Sequence, residues 1–204
     1  MKSSFLVSLG YIIWLLITIY IWIIVIAALI SWVSPNRNSP FVRLLDKLTN
    51  PALGFTRRIV RLTFGGLDFT PLLLILVLYF LAELTRLSCF YIGHGAQPLV
   101  ILPLIVFCLV NMIKSLCWFL FILMIARILM SLIQPNPYNP LVLITYGATE
   151  PLLSPLKGVV PKGPSNLDLR AVLFLAFLLL FDVFVLNNIM EVTSRWAARY
   201  GAIA

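Results

Sequence analysis

The chain has 204 residues, 62% of them hydrophobic and 11% charged, with a mean hydropathy of +1.06 and a formal net charge of +8. So apolar a composition excludes a water-soluble globular domain and points to an integral membrane protein. The basic clusters are short and lie between apolar runs, which excludes a nucleic-acid surface and suits acidic lipid head groups.

The first apolar run, residues 5–33, carries no charge. It is too long for the apolar core of a signal peptide and no small-residue cleavage site follows it, so it is expected to stay as a span. Connecting segment 34–70 comes next. Ser39-Pro40 reads as an N-cap with proline in the first turn. Beyond it, Phe41, Leu44, Leu45 and Leu48 recur at helical spacing while Arg43, Asp46 and Lys47 fill the rest of the wheel, as in an amphipathic helix lying on a membrane surface. A second helix start is expected at Asn50-Pro51, leading into the basic cluster Arg57, Arg58 and Arg61. Asp68 stands just before the second span, residues 71–92, where a carboxylate can cap free amides.

After the Gly93-His94-Gly95 loop, residues 98–110 are apolar and contain Pro103. They can extend the third span, lie at the interface or form a short extra segment. The third span is placed at residues 110–133 and the fourth at 171–190, since a helix needs about 20 residues to cross about 30 Å of hydrocarbon. Connecting segment 134–170 repeats the earlier punctuation: Asn139-Pro140, then Glu150-Pro151, then Lys157, then Asp168. Its first helix, Leu141 to Tyr146, has no charge and is expected to be buried against the bundle or to dip into the membrane.

Offset by one hundred positions, the chain matches itself. Ser31, Pro35, Asn36, Pro40, Val42, Thr49, Pro51, Leu53, Val60, Leu67 and Asp68 meet identical residues one hundred positions on, among them Pro135, Asn136, Pro140, Pro151 and Asp168. Chance would give roughly three identities over that stretch. The expected fold is therefore all-α and polytopic, with about four spans in two parallel tandem repeats, residues 1–95 and 96–204. Each repeat is a transmembrane hairpin joined by an interfacial amphipathic segment. Basic residues concentrate in the connecting segments (Arg37, Arg43, Lys47, Arg57, Arg58, Arg61, Lys157, Lys162, Arg170), against Lys2, Arg195 and Arg199 on the other side. The positive-inside rule then puts the connecting segments in the cytoplasm and both termini in the periplasm of a bacterial inner membrane.

Several of these stretches resemble the YggT family of bacterial and plastid membrane proteins. The resemblance rests on Asn36 to Pro40 and Asn136 to Pro140, on Pro51 to Arg57 and Pro151 to Lys157, on Gly65-Gly66-Leu67-Asp68-Phe69-Thr70-Pro71, and on Arg127-Ile128-Leu129-Met130-Ser131. It covers nearly the whole chain. The chain departs from the pattern where Ala27 stands opposite Arg127, and where Arg170-Ala171 replaces Thr70-Pro71. The resemblance implies an inner-membrane protein without established enzymatic activity. It also implies a link to osmotic-shock tolerance, to cell division and nucleoid distribution, or to cytochrome b6f assembly.

Charges inside the spans are the sharper clue, because ionisable groups in hydrocarbon are costly. Glu83 and Arg86 are three apart on one helix and are expected to pair. Arg127 and Asp182 are expected to meet across the bundle. These groups either hold helices together or line an ion or proton path. His94 is the only histidine, and Cys89, Cys108 and Cys117 form no Cys-x-x-Cys pattern, so no metal or cofactor site is expected. No phosphate loop or activated nucleophile is recognisable, and no enzyme is expected. The expected function is a scaffold or assembly factor that binds anionic lipid and other membrane proteins, with Arg57, Arg58, Arg61 and Lys157 as the lipid- or partner-facing cluster. The alternative is a small channel or transport component with Glu83, Arg127 and Asp182 on its path; Gly10 and Pro103, the obvious helix breakers, do not correspond between repeats.

Overall fold

The computed structural model describes residues 2–33, 39–60, 63–64, 67–136, 138–158 and 168–201. Among them four helices are long and apolar enough to cross a membrane: Ser4–Ser31, Thr70–Gly93, Pro98–Ile133 and Leu169–Tyr200. In chain order the elements are α1 (Lys2–Val33), α2 (Pro40–Ile59), a small antiparallel ribbon of β1 (Thr63–Phe64) and β2 (Leu67–Asp68), α3 (Thr70–Gly93), α4 (Ile101–Ile133), α5 (Pro140–Leu153), α6 (Leu169–Phe181) and α7 (Asn187–Gly201). A 3-10 turn, Pro98–Val100, leads into α4, another, Ser154–Gly158, follows α5, and one π-helical turn, Asp182–Leu186, joins α6 to α7.

Residues 98–110 thus belong to the third span. Pro103 falls in the first turn of α4, where its missing amide would have had no intrahelical partner. At 33 residues, α4 is about 50 Å long and overruns the hydrocarbon. The left-handed conformation at Gln134 (φ 51°) ends it, its amide returning to the Met130 carbonyl.

The second helix starts expected at Asn50-Pro51 and Glu150-Pro151 are not found. Pro51 lies inside α2 and Pro151 inside α5. Proline removes one hydrogen bond from a helix, and burial of the residues around it offsets that loss. Two residues after each proline a leucine plugs the core. In the first repeat Ile24, Leu53 and Leu74 form a buried cluster, flanked by Tyr20, Ile75 and Leu78. In the second, Met124, Leu153, Ala171 and Leu178 do the same, flanked by Leu120, Phe174 and Leu175. Ile24, Leu53, Leu74, Ile75 and Leu78 are the residues one hundred positions before Met124, Leu153, Phe174, Leu175 and Leu178. The duplication is therefore one of packing as well as of loop sequence.

The helices lie in a row, with α1 against α3, α3 against α4, and α4 against α6 and α7. At the far end Ala96, Val100, Leu104 and Ala197 close the junction of α3, α4 and α7. At the near end α5 touches α1 and the ribbon, which ties the second repeat to the first. Gly10 is not a breaker. It sits where α1 crosses α3, and a Cβ there would lie 2.5 Å from the Cβ of Cys89. Small residues permit such close crossings between membrane helices.

Candidate functional site

The described residues concentrate their charge at three places. The first is a clamp around Arg127, whose side chain is 1% exposed. Its Nε donates to Asp168 at 2.9 Å, one terminal nitrogen to the Thr149 hydroxyl at 2.7 Å and the other to Glu150 at 2.8 Å. The guanidinium also lies over the Tyr146 ring, 4.5 Å from its centre. α4 supplies the arginine, α5 supplies Tyr146, Thr149 and Glu150 on one face at helical spacing, and the start of α6 supplies Asp168. Lys157 holds Glu150 at 2.6 Å and Arg170 holds Asp168 at 3.2 Å.

The geometry corrects the expected contact between Arg127 and Asp182. Arg127 lies six residues, about 9 Å, from the end of α4, whereas Asp182 lies thirteen residues, about 20 Å, into the fourth span. Extending one turn toward the surface brings the guanidinium level with Asp168, whose amide bonds the Ser131 hydroxyl at 3.3 Å. Ending at the interface costs less than reaching inward. Lys157 and Arg127 hold the Glu150 carboxyl well down, at about 2, against the opposing effect of burial. Burial alone would raise the Asp168 carboxyl, but the Arg127 and Arg170 guanidiniums lower it.

The first repeat does not build this clamp, because Ala27 replaces the arginine. Asp68 instead pairs with Arg57 at 2.8 Å and accepts from the Thr70 amide at 2.9 Å, in the expected capping role. Burial opposes ionisation of Asp68 here too, and hydrogen bonds from Thr70 and Arg57 win, lowering its pKa. Each repeat neutralises its aspartate with an arginine from a different place.

The second place is a pair of polar staples near mid-membrane. In the first repeat the Trp14 indole donates to Glu83 at 3.1 Å, Arg86 pairs with Glu83 at 2.6 Å, and Arg86 lies 5.6 Å from the centre of the Trp14 ring. In the second, Lys114 stands 3.5 Å from Asp182 and donates to Asn187 at 2.5 Å. Trp14 and Lys114 are one hundred residues apart, so the same position of the first helix staples an acid on the second helix in both halves. The widened π turn, in which the Asn187 amide bonds the Asp182 carbonyl, brings Asn187 to Lys114. Asn111 belongs to the same belt, donating to the Tyr79 hydroxyl at 3.2 Å.

The third place is the basic face of α2. Of the expected cluster of Arg57, Arg58, Arg61 and Lys157, two members are engaged by acids: Arg57 pairs with Asp68 and Lys157 with Glu150. Arg61, like Pro35 and Asn36, lies outside the described residues. The apolar stripe of Phe41, Leu44 and Leu48 is exposed, and α2 packs on the bundle through Val42, Leu45, Thr49 and Leu53. Of the two expected N-caps, the Asn139 side chain accepts from the Leu141 amide at 3.0 Å, while the Ser39 side chain makes no capping bond. At the second repeat's corner, Asn136 accepts from the Tyr138 amide at 3.0 Å just after Pro135, and α5 begins at Pro140.

Sequence reasoning missed Tyr146, Glu150, Arg170, Lys114 and Trp14. Glu150 carried a signal, since it aligns with Asn50 of the first repeat and adds an acid beside a proline that needs none. Lys114 carried another, as a lone cation within an apolar run.

No solved structure matches the chain. It is 26% identical over 183 residues to an uncharacterised protein of Pseudomonas aeruginosa, covering 90% of each chain. It is 25% identical over 183 residues to an uncharacterised Vibrio alginolyticus protein encoded in the proC 3' region, covering 90% of this chain and 95% of that one. The uncharacterised protein YggT of Escherichia coli K12 shares 41% identity over 58 residues, 28% of this chain and 30% of its own. The CCB3/YggT family model matches residues 6–88 and 106–189, one copy on each hairpin. On that double match, the chain belongs to the CCB3/YggT family.

Proposed function

We propose that this protein is a non-catalytic scaffold or assembly factor of the bacterial inner membrane, with its connecting segments in the cytoplasm and both termini in the periplasm. The observation that carries the proposal is how the ionisable groups are used. Arg127, Glu83 and Asp182 do not face one another; each is engaged from a neighbouring element, Glu83 by Trp14, Asp182 by Lys114 and Arg127 by Glu150 and Asp168. Charges spent in this way hold helices in register and leave the outer helix faces, rich in apolar side chains, for lipid and for other membrane proteins. The osmotic-shock, cell-division and complex-assembly links implied by the family resemblance all suit an organising role.

The test is crosslinking in intact cells followed by affinity purification of the full chain. Reproducible recovery of one membrane complex is the expected result. Ion flux through proteoliposomes containing this protein alone would overturn the proposal in favour of a channel. A C-terminal reporter active only in the cytoplasm would reverse the orientation.

A further inference from the structure

At 100° per residue, α2 divides into arcs of distinct chemistry. Phe41, Leu44, Leu48, Phe55 and Ile59 fall within about 60° of one another, and all five are exposed. The adjoining arc of Val42, Leu45, Thr49 and Leu53 is buried against the bundle. On the other flank of the exposed stripe, Arg43, Lys47, Gly54 and Arg58 share a second arc of about 60°. Among the described residues Arg43, Lys47 and Arg58 have no carboxylate within ion-pair distance. Arg57, which does, lies about 40° beyond Arg43 on the side away from the exposed stripe and pairs with Asp68.

Gly54 interrupts the cationic row. Beyond its chain neighbours and the adjoining helix backbone, no atom lies within 4 Å of where its Cβ would be, and among the described residues Gly54, Arg57, Arg58 and Ile59 line an open groove of about 600 Å³. A row of free cations beside an exposed apolar stripe, with a gap in the row, matches an amphiphile that carries an anionic head and apolar tails.

We propose that the groove at Gly54 seats the head group of an anionic phospholipid, with its phosphate on Arg58, Arg43 and Lys47 adding to the field, and its acyl chains along Phe55 and Ile59. α2 is then an in-plane anchor that selects acidic lipid, and the bilayer covers its exposed stripe. This deepens the scaffold proposal by naming its lipid partner, and it rests on α2 lying along the bilayer surface.

The test uses the full chain reconstituted in phosphatidylcholine bilayers containing trace spin-labelled phosphatidylglycerol or phosphatidylcholine, with the motionally restricted fraction of each label as readout. The wild type is expected to prefer phosphatidylglycerol. Each cation near the surface contributes about fivefold, so Arg43→Gln/Lys47→Gln/Arg58→Gln is expected to abolish the preference. Arg195→Gln/Arg199→Gln on α7 is expected to keep it. Gly54→Leu leaves charge unchanged and favours the helix, yet fills the groove, so it is expected to weaken the preference severalfold. A wild type without preference, or a triple variant that retains it, overturns the proposal; an undiminished preference in Gly54→Leu removes the groove from it. A wild type without preference whose triple variant loses its co-purifying complex would assign the surface to a protein. Because the labelled-lipid measurement uses purified protein, its outcome does not depend on whether a complex is recovered from cells.

Discussion

Arg127→Met removes the guanidinium that joins α4, α5 and α6 while keeping most of the side chain's apolar volume. Deleting one partner of a buried ion pair costs about 3–5 kcal/mol, largely because the other charge is stranded. Here neither carboxylate is stranded completely, since Glu150 keeps Lys157 at 2.6 Å and Asp168 keeps Arg170 at 3.2 Å. The expected loss is therefore at the low end, about 3 kcal/mol, or roughly a hundredfold in the folding equilibrium. Arg127→Lys keeps the charge but cannot serve Asp168, Glu150 and Thr149 at once, and should lose about 2 kcal/mol. The matched control is Arg57→Met. That pair is 40% and 31% exposed, so its loss should be about 0.5 kcal/mol. Reversible unfolding in mixed micelles of increasing SDS fraction measures all three. If Arg127→Met cost no more than Arg57→Met, the clamp would not be what secures the second repeat.

The clamp should also make stability depend on acid. The Glu150 carboxyl is held below its ordinary range in the folded protein, so its contribution is present above pH 4.5 and lost as pH falls toward about 2. Asp168 and Asp68, also lowered, act in the same direction; an unfolding series should show stability falling over that range in the wild type and falling less steeply in Arg127→Met, where Lys157 still holds Glu150 and Arg57 still holds Asp68. Gly10→Ala should destabilise by about 1–3 kcal/mol through the α1–α3 crossing. Cys89→Ala should fail to rescue it because the clashing Cβ remains, whereas Cys89→Gly should restore stability in the same unfolding assay. Lys114→Met strands Asp182 and should cost about 3 kcal/mol, and Lys114→Met/Asp182→Leu should recover most of that. Trp14→Phe, which leaves Glu83 its Arg86, should cost only about 0.6 kcal/mol.

The parts of the fold that depend on composition and punctuation were legible in the sequence. Four long apolar runs set the spans, and the paired prolines and aspartates marked the repeat. What could not be read was how much local signal tertiary packing overrides. Asn50-Pro51 and Glu150-Pro151 look like helix starts, but Leu53 and Leu153 just beyond them are worth more in the core than proline's missing bond. The hydrophobic stripe of α2 was visible, but not which part of it would face the bundle. That was settled by the burial of Val42, Leu45 and Leu53, with Leu53 set between Ile24 of α1 and Leu74 of α3. For Arg127, depth along the helices was readable, while the direction in which its side chain extends depended on two acids, Glu150 near the end of α5 and Asp168 at the start of α6, that no spacing from Arg127 pointed to. The partner of Asp182 was hidden by the π turn, a geometry that no residue pattern announced.

The two buried clusters, Ile24 with Leu53 and Leu74, and Met124 with Leu153 and Ala171, each draw only on their own half of the chain. So do the Glu83 staple, the Arg57 pair and the whole Arg127 clamp. During synthesis, then, the first hairpin has the partners of its own cluster, staple and ion pair once α3 has entered the membrane, before α4 leaves the ribosome. The second hairpin can assemble beside a finished neighbour, and the contact of α5 with α1 and the ribbon comes last.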